Sequence, residues 1–155
     1  MSESFARVKH SDYLEIAPKV NAAIDAIGQA ARDGGLEPEL LELIKLRASQ
    51  INGCAYCIQY HLNSLCSLGV PAEKIDLLLV WPEVNVYTER ELAALSWTEL
   101  TNDLAHGGVS DEAFEMIHEH FSEQEVFLLT AAVIQINAYN RFGVIYKFDP
   151  PIPGQ

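Results

Sequence analysis

Apolar residues recur every three or four positions along almost the whole chain, the spacing of helices that bury one face. No run alternates apolar and polar residues between hairpin turns, as a half-buried strand would. Prolines and glycines mark the first boundaries. A helix is predicted from Pro18 to Ala31, ending at the Asp-Gly-Gly of residues 33–35, and a second from Pro38 to about Gln50. The pattern predicts an all-α fold.

Later helix boundaries are also visible in the pattern. Asn52 and Gly53 interrupt the second helix, and a third is predicted from there to Gly69, where Pro71 prevents its continuation. Serine or threonine three positions before glutamate caps the first turn of a helix, so such pairs mark further starts. These pairs are Thr88 with Glu91 and Ser122 with Glu125, and Ser110 before two acidic residues indicates one more start.

The last predicted helix, EVFLLTAAVIQINAYNRFGVIYKF, is apolar around most of its circumference. A helix on the surface of a small monomer would keep one polar face. We therefore expect this segment in the core, in a subunit interface, or in both. The tail DPPIPGQ, residues 149–155, is rich in proline and is expected to lie extended over the surface.

Length and charge narrow the class of function. A chain of 155 residues that is 49% hydrophobic can bury one core but hardly two, so one domain over residues 1–155 is predicted. A net charge of -12, with only 10 basic residues, argues against nucleic acid, because phosphate contacts need clustered Lys and Arg. No secretory signal is visible, and no apolar run approaches the roughly 20 residues that span a bilayer. A cytoplasmic protein without membrane contact is expected.

Candidate chemistry is concentrated in NGCAYCIQYH, residues 52–61. Cys54, Cys57 and His61 are three and four positions apart, so they share one face of a helix. The Asn-Gly break places both cysteines in the first turn, where unpaired backbone N–H groups stabilise a thiolate and lower the cysteine pKa. A structural disulfide here would close almost no loop. In a reducing compartment such a pair is more often catalytic or metal-binding.

The preceding helix supplies Glu42 as a candidate base for the thiol proton. A half-buried carboxylate there would have a raised pKa and could act near neutral pH, whereas a surface pair with Lys45 is the alternative. Glu42 and the Cys-Cys-His face could also supply four metal ligands. Zinc sites usually draw a second ligand pair from a separate knuckle, which this sequence lacks. Simple packing of the cluster is the remaining alternative.

The other cysteine and histidines are not assigned chemistry. Cys66 is nine positions after the second cysteine, so we expect it on the opposite side of the helix as a small core residue. His118 and His120 would face different directions on a helix, which favours a solvated surface over a metal site. His10 and His106 lie in polar or glycine-rich stretches and receive no role.

Four residues within ELIKLRASQINGCAYCIQYHLNSLCSLGV have a spacing that resembles the AhpD-like alkylhydroperoxidase core of the carboxymuconolactone decarboxylase family: Glu42, Cys54, Cys57 and His61. The resemblance is strong over about residues 36–70, the expected redox core, and looser elsewhere. The later INAYNRF, residues 136–142, is similar to the family's I-N-x-W-N-R segment, with Tyr139 where Trp is usual.

The resemblance implies an all-helical, AhpD-like domain that assembles as a trimer or hexamer. It implies that Cys57 attacks the peroxide and that Cys54 resolves the product. Glu42 and His61 would form the proton-transfer group. The implied partners are an organic hydroperoxide or hydrogen peroxide, and an external dithiol reductant. No bound cofactor or metal is implied.

One position departs from the family pattern. The best-studied type has a second histidine immediately before the second cysteine, and this chain has Tyr56. A phenol with a pKa of about 10 donates a hydrogen bond but relays protons poorly at pH 7. We expect either lower turnover or a proton path through Glu42, His61 and a water. The alternatives to a peroxidase are a non-enzymatic redox adaptor or sensor, and the family's decarboxylase branch, which acts on a lactone and does not rely on a cysteine pair.

Overall fold

Every regular element in residues 4–154, which the computed structural model describes, is a helix. The predicted all-α fold is confirmed. The elements are α1 (His10–Ile16), α2 (Pro18–Asp33), α3 (Pro38–Asn52), α4 (Ala55–Ser67), α5 (Ala72–Asp76), a 3₁₀ segment (Leu78–Glu83), α6 (Glu89–Asn102), α7 (Asp111–His118) and α8 (Glu123–Tyr146).

Helix starts agree with the prolines and capping residues in the sequence. α2 and α3 begin at Pro18 and Pro38, as predicted. Both predicted capping boxes are present, at the starts of α6 and α8. Ser110 caps α7, since its hydroxyl accepts the backbone N–H of Ala113. Local side-chain chemistry therefore sets most of the boundaries.

Helix α1 was not predicted from the periodicity. It has seven residues, of which only Tyr13 is buried, so its apolar pattern is too short to detect. The Tyr13 ring packs on Phe142 and Phe148, with centroids 4.9 and 5.6 Å apart. These contacts hold α1 against the end of α8 and the residues that follow it.

Helices α3 and α8 form the centre of the molecule. α3 packs against α4, α6 and α8, and α8 packs against α2, α3, α4 and α6. Leu43 and Ile44 of α3 and Leu129 of α8 are almost fully buried, each stabilising the fold by about 1.5–3 kcal/mol. The core position expected for the last helix is confirmed. Its outer face nevertheless leaves Phe127 70% and Ile134 54% exposed.

The chain after α8 is not helical, which agrees with the prediction for the tail over residues 149–154. Gln155 lies outside the described residues. The Asn63 side chain of α4 donates to the Pro151 carbonyl at 2.8 Å, and this bond holds the tail against α4. Within residues 4–154, no helix combines the length and the apolar character needed to cross a bilayer.

Candidate active site

A left-handed turn at Gly53 folds α4 back against α3. Gly53 has φ 69° and ψ 33°, a conformation that glycine adopts without a Cβ clash. The Gly53 N–H bonds to the Gln50 carbonyl, and the Cys54 N–H bonds to the Ser49 carbonyl at 3.1 Å. These bonds close the end of α3. The predicted break therefore brings one face of α3 onto the start of α4.

Side chains from α6 and α8 hold this turn in place. The Asn52 amide nitrogen lies 3.2 Å from the Asn102 amide oxygen, 2.7 Å from that of Asn137 and 2.9 Å from that of Asn140. The Asn140 amide also donates to the Ser49 hydroxyl at 3.0 Å. Both α8 asparagines belong to the INAYNRF segment. That segment ties α8 to the residues immediately before the cysteines.

The two cysteines lie at the start of α4, as the sequence predicted. Cys54 is the N-cap residue, and its sulfur accepts the backbone N–H of Cys57 at 3.2 Å. The pair is joined as a disulfide with Cα atoms 5.3 Å apart. Cys54 is 1% exposed and Cys57 is 4% exposed. A helix N-terminus stabilises negative charge on a capping sulfur, and Cys54 holds that position in α4.

Gly143 of α8 makes room for these sulfurs. A Cβ at position 143 would overlap the Cys54 sulfur and lie 3.4 Å from the Cys57 sulfur. The backbone of α8 therefore packs directly on the disulfide. Sequence reasoning did not single out Gly143. The sequence could have indicated a packing role for Gly143, because an isolated glycine inside a long helix costs about 1 kcal/mol relative to alanine.

His61 and Glu42 form a hydrogen-bonded pair beside Cys57. The His61 Nδ1 atom lies 2.6 Å from Glu42 Oε2, joining α4 to α3. An ionised carboxylate only accepts, so Nδ1 carries the proton and neutral His61 keeps its lone pair on Nε2. The structure thus brings together all four residues singled out from the sequence. Glu42 pairs with His61 and not with Lys45.

The pKa of Glu42 is lowered, and the predicted rise was wrong. Burial by itself raises this pKa, but the hydrogen bond from His61 and the attraction of Lys45 and of His61 in its protonated form outweigh it. Glu42 is therefore a carboxylate at neutral pH. Its geometry suits it to orient His61 and to stabilise an imidazolium, and less to take up the thiol proton itself.

A cavity of about 360 Å³ lies beside Cys57 and the His61–Glu42 pair. Its walls combine aromatic rings with polar and charged side chains, which suits a small molecule that has both an apolar body and a polar group. Lys45 and Gln135 are two of the polar residues in the wall. The rings that line the cavity come from α1, α4, α8 and the tail: His10, Tyr13, Tyr56, Tyr60, Tyr139 and Phe148.

His10, which received no role in the sequence analysis, lines this cavity. Its ring stacks on Tyr56 with centroids 4.6 Å apart, and its Nδ1 lies 3.3 Å from the Tyr56 hydroxyl. Burial lowers the pKa of His10 and raises the pKa of Tyr56, so both are neutral at pH 7. The partners are 46 positions apart, so no local pattern could have indicated the contact.

Comparison with known proteins identifies the family of the chain. The sequence profile described as the Carboxymuconolactone decarboxylase family matches residues 18–100. The chain belongs to this family. A relative from Bacillus subtilis (strain 168), the uncharacterized protein YdfG, is 32% identical over 132 residues, which is 85% of this chain and 90% of the relative.

Solved structures place the chain among the AhpD-like members of the carboxymuconolactone decarboxylase family. ATU0492 from Agrobacterium tumefaciens, of unknown function and named as a candidate antioxidant defence protein AhpD, has a TM-score of 0.87 and 37% identity. The match covers 95% of this chain and 99% of that one. The alkylhydroperoxidase AhpD core of an uncharacterized peroxidase-related protein from Ralstonia eutropha JMP134 shares the fold, with a TM-score of 0.78, 24% identity, and coverage of 88% and 73%. The predicted resemblance is confirmed.

Cys66 and the histidines His118 and His120 are not among the residues that line this cavity. Cys66 is exposed, so its prediction as a core residue was wrong: the side of α4 opposite the cysteines faces outward. His118 Nδ1 donates to the Phe114 carbonyl at 2.7 Å, and His120 lies apart from it in the turn after α7. The metal-site alternative requires at least three His, Cys, Asp or Glu side chains close together. Within residues 4–154, no such group is present.

Proposed function

We propose that this protein is a cytoplasmic thiol-dependent peroxidase that reduces an organic hydroperoxide or hydrogen peroxide with the Cys54–Cys57 pair. The observation that carries the proposal is the position of Cys57, which lines the same cavity as His61 and Glu42. Cys54 is packed behind it against α8. A peroxide in the cavity would therefore meet Cys57 first, with a second sulfur already at bonding distance.

The first step is attack on the peroxide. His61 Nε2 takes the proton of the Cys57 thiol, and ionised Glu42 stabilises the imidazolium through Nδ1. The Cys57 thiolate attacks the terminal oxygen of the hydroperoxide, so that an S–O bond forms as the O–O bond breaks. The alkoxide receives the proton from His61 and leaves as an alcohol. Cys57 becomes a sulfenic acid, the reversible rung of cysteine oxidation.

The second step forms the disulfide. Cys54 attacks the sulfur of the sulfenic acid, the S–S bond forms, and the hydroxyl group leaves as water with the Cys54 proton. An external dithiol then reduces the disulfide by two thiol exchanges and is itself oxidised to a disulfide. The cycle needs no bound cofactor. The N-cap contact of the Cys54 sulfur favours its departure as a thiolate in the first exchange.

Cysteine variants test the proposal. The reduced protein should consume cumene hydroperoxide and lose two hydrogens in mass, confined to residues 54–57. Cys57→Ser should abolish consumption, whereas Cys54→Ser should allow one turnover and leave a sulfenic acid on Cys57 that dimedone labels. Cys66→Ser removes the exposed third cysteine and serves as the matched control, with unchanged consumption.

Assays of the wild-type protein separate a peroxidase from a redox adaptor. Rapid disulfide exchange with a small dithiol, combined with no peroxide consumption by the reduced wild-type protein, would contradict the peroxidase and favour the adaptor or sensor. A label on Cys54 and not on Cys57 after peroxide treatment would contradict the assigned order of the two cysteines.

We further propose that the protein is a homo-oligomer, a trimer or hexamer as the family resemblance implies. Phe127, Ile134 and Ile145 follow one side of α8 at helical spacing, and all three are exposed. Exposed apolar faces of this kind mark protein contacts. Light scattering coupled to size exclusion should give a mass of three or six chains, and a monomer mass would contradict this proposal.

A further inference from the structure

Lys45 of α3 is buried in the cavity wall without a counter-ion of its own. It is 4% exposed, and no carboxylate oxygen of residues 4–154 lies within 4.0 Å of its ammonium nitrogen. Burial lowers the pKa of Lys45, and the attraction of Glu42 offsets this only in part. A buried ammonium is costly unless it is paired.

The carboxylates near Lys45 are held by other groups. Glu42 bonds to His61 at 2.6 Å, and Asp25 lies 3.5 Å from the guanidinium of Arg32. Both carboxylates line the same cavity as Lys45. Lys45 is therefore a buried cation of this cavity that no carboxylate of residues 4–154 pairs with, whereas Arg32, which also lines the cavity, already has Asp25 as a partner.

Gln135 of α8 is a second polar side chain without a partner in the cavity wall. It is 3% exposed, and its amide oxygen is fully buried with no hydrogen bond among the described residues. Buried side-chain amides are almost always bonded. On α2, a Cβ at Gly28 would overlap this amide as it is placed, so Gly28 leaves space for it. The Gln135 amide of α8 therefore packs closely against the backbone of α2 at Gly28.

From these two side chains we infer that the cavity binds the carboxylate of a small organic acid. The Lys45 ammonium donates to one carboxylate oxygen. Gln135 lines the same cavity, and its amide N–H group can donate to the other oxygen. The aromatic rings of Tyr56 and Tyr139 provide walls for the apolar body of the ligand.

The ligand is inferred for the same cavity. The further step, that the substrate is a hydroperoxide carrying a carboxylate, rests on the proposed peroxidase function, whereas the binding of an acid does not. A hydroperoxide that carries a carboxylate would gain a contact to Lys45 that hydrogen peroxide and neutral alkyl hydroperoxides lack. The binding of the acid itself requires no turnover. It can therefore be measured on the disulfide form, in which the sulfurs do not react with peroxide.

Benzoate is a suitable probe, with benzamide as the neutral ligand of the same shape. Titration of the ¹⁵N-labelled disulfide protein with benzoate at pH 7 should show saturable shifts of amide resonances. The affinity for benzoate should be at least about tenfold higher than for benzamide, because only benzoate can form a charge-assisted hydrogen bond with Lys45. Lys45→Met should remove this difference, and Gln135→Met should weaken benzoate binding. Lys19→Met is the matched control, because Lys19 is an exposed lysine outside the cavity and its loss should change nothing.

Equal affinity for benzoate and benzamide would overturn the inference, as would absent saturation with benzoate or unchanged benzoate binding by folded Lys45→Met. The comparison of the two ligands uses the native chain, so it decides the question even if a variant fails to fold. In turnover, 4-carboxycumene hydroperoxide should exceed cumene hydroperoxide about tenfold in kcat/KM, and Lys45→Met should equalise them. Consumption of neither hydroperoxide would contradict the peroxidase, while the benzoate result would still stand.

Discussion

The α-carbon of Gly143 on α8 lies against the sulfur of Cys54 at the start of α4, so closely that a methyl group would not fit between them. Four residues earlier on α8, Tyr139 lines the cavity. One helix therefore supports the disulfide from behind and also supplies part of the wall in front of Cys57. The site is therefore formed by α8 as well as by α4.

Gly143→Ala should lower the free energy of unfolding by about 1–3 kcal/mol, because either α8 or the sulfurs must shift. Disulfide formation in the variant should be slower than in wild type. Urea denaturation of both redox forms, with thiol counting over time, measures these effects. Gly107→Ala is the control, since its Cβ would meet no atom within 4 Å. Equal stability of the two variants would show that α8 does not constrain the sulfurs.

Glu42→Gln should slow alkylation of Cys57 by about tenfold at pH 7, because the amide no longer stabilises a protonated His61. The measurement is the rate of iodoacetamide labelling of the reduced protein, with the label located by mass spectrometry. Glu39→Gln changes an exposed carboxylate of the same helix and should leave the rate unaltered. A normal rate in Glu42→Gln would remove Glu42 from the proton-transfer group.

Acid should weaken the fold partly through Glu42. Its folded pKa is below the ordinary value of 4.5, so the contribution of Glu42 to stability is full above about pH 4.5 and is lost as the pH falls through the lowered folded pKa. In denaturant titrations from pH 7 to pH 3, the stability gap between wild type and Glu42→Gln should be constant at first and then narrow. A gap that widens in acid would contradict the direction of this shift.

Tyr56→Phe tests whether the His10–Tyr56 contact takes part in proton transfer. The variant keeps a ring to stack on His10 and loses the hydroxyl that lies 3.3 Å from Nδ1. If protons move through His61, peroxide turnover should stay within about threefold of wild type, whereas His61→Ala should cost about 10²-fold or more. Comparable losses in the two variants would place Tyr56 in the proton path.

The sequence predicted those features that depend on neighbouring residues. Capping side chains and prolines gave the helix starts, and spacing within one helix placed His61 on the same face as Cys57. Residues separated by many positions were missed. His10 and Gly143 reach the site only through the packing of α1 and α8, and periodicity reports which face of a helix is apolar, not which helix covers it.

The two wrong predictions have the same physical origin. The pKa of Glu42 depends on a partner 19 positions away, and its hydrogen bond reverses the effect of burial. Cys66 was assigned to the core from the general tendency of free cysteine to be buried, while its angle on α4 fixes only its side of the helix. Whether that side meets another helix or solvent is decided by tertiary packing.

Part of the cavity wall comes from residues that are far from the cysteines in the sequence. His10 lies near one end, Phe148 lies near the other, and Cys57 sits between them in the sequence. Mutations in the terminal segments can therefore change which molecules are admitted without disturbing the sulfur chemistry. Relatives that keep the cysteine spacing can therefore differ in the shape of this cavity through changes at these two positions alone.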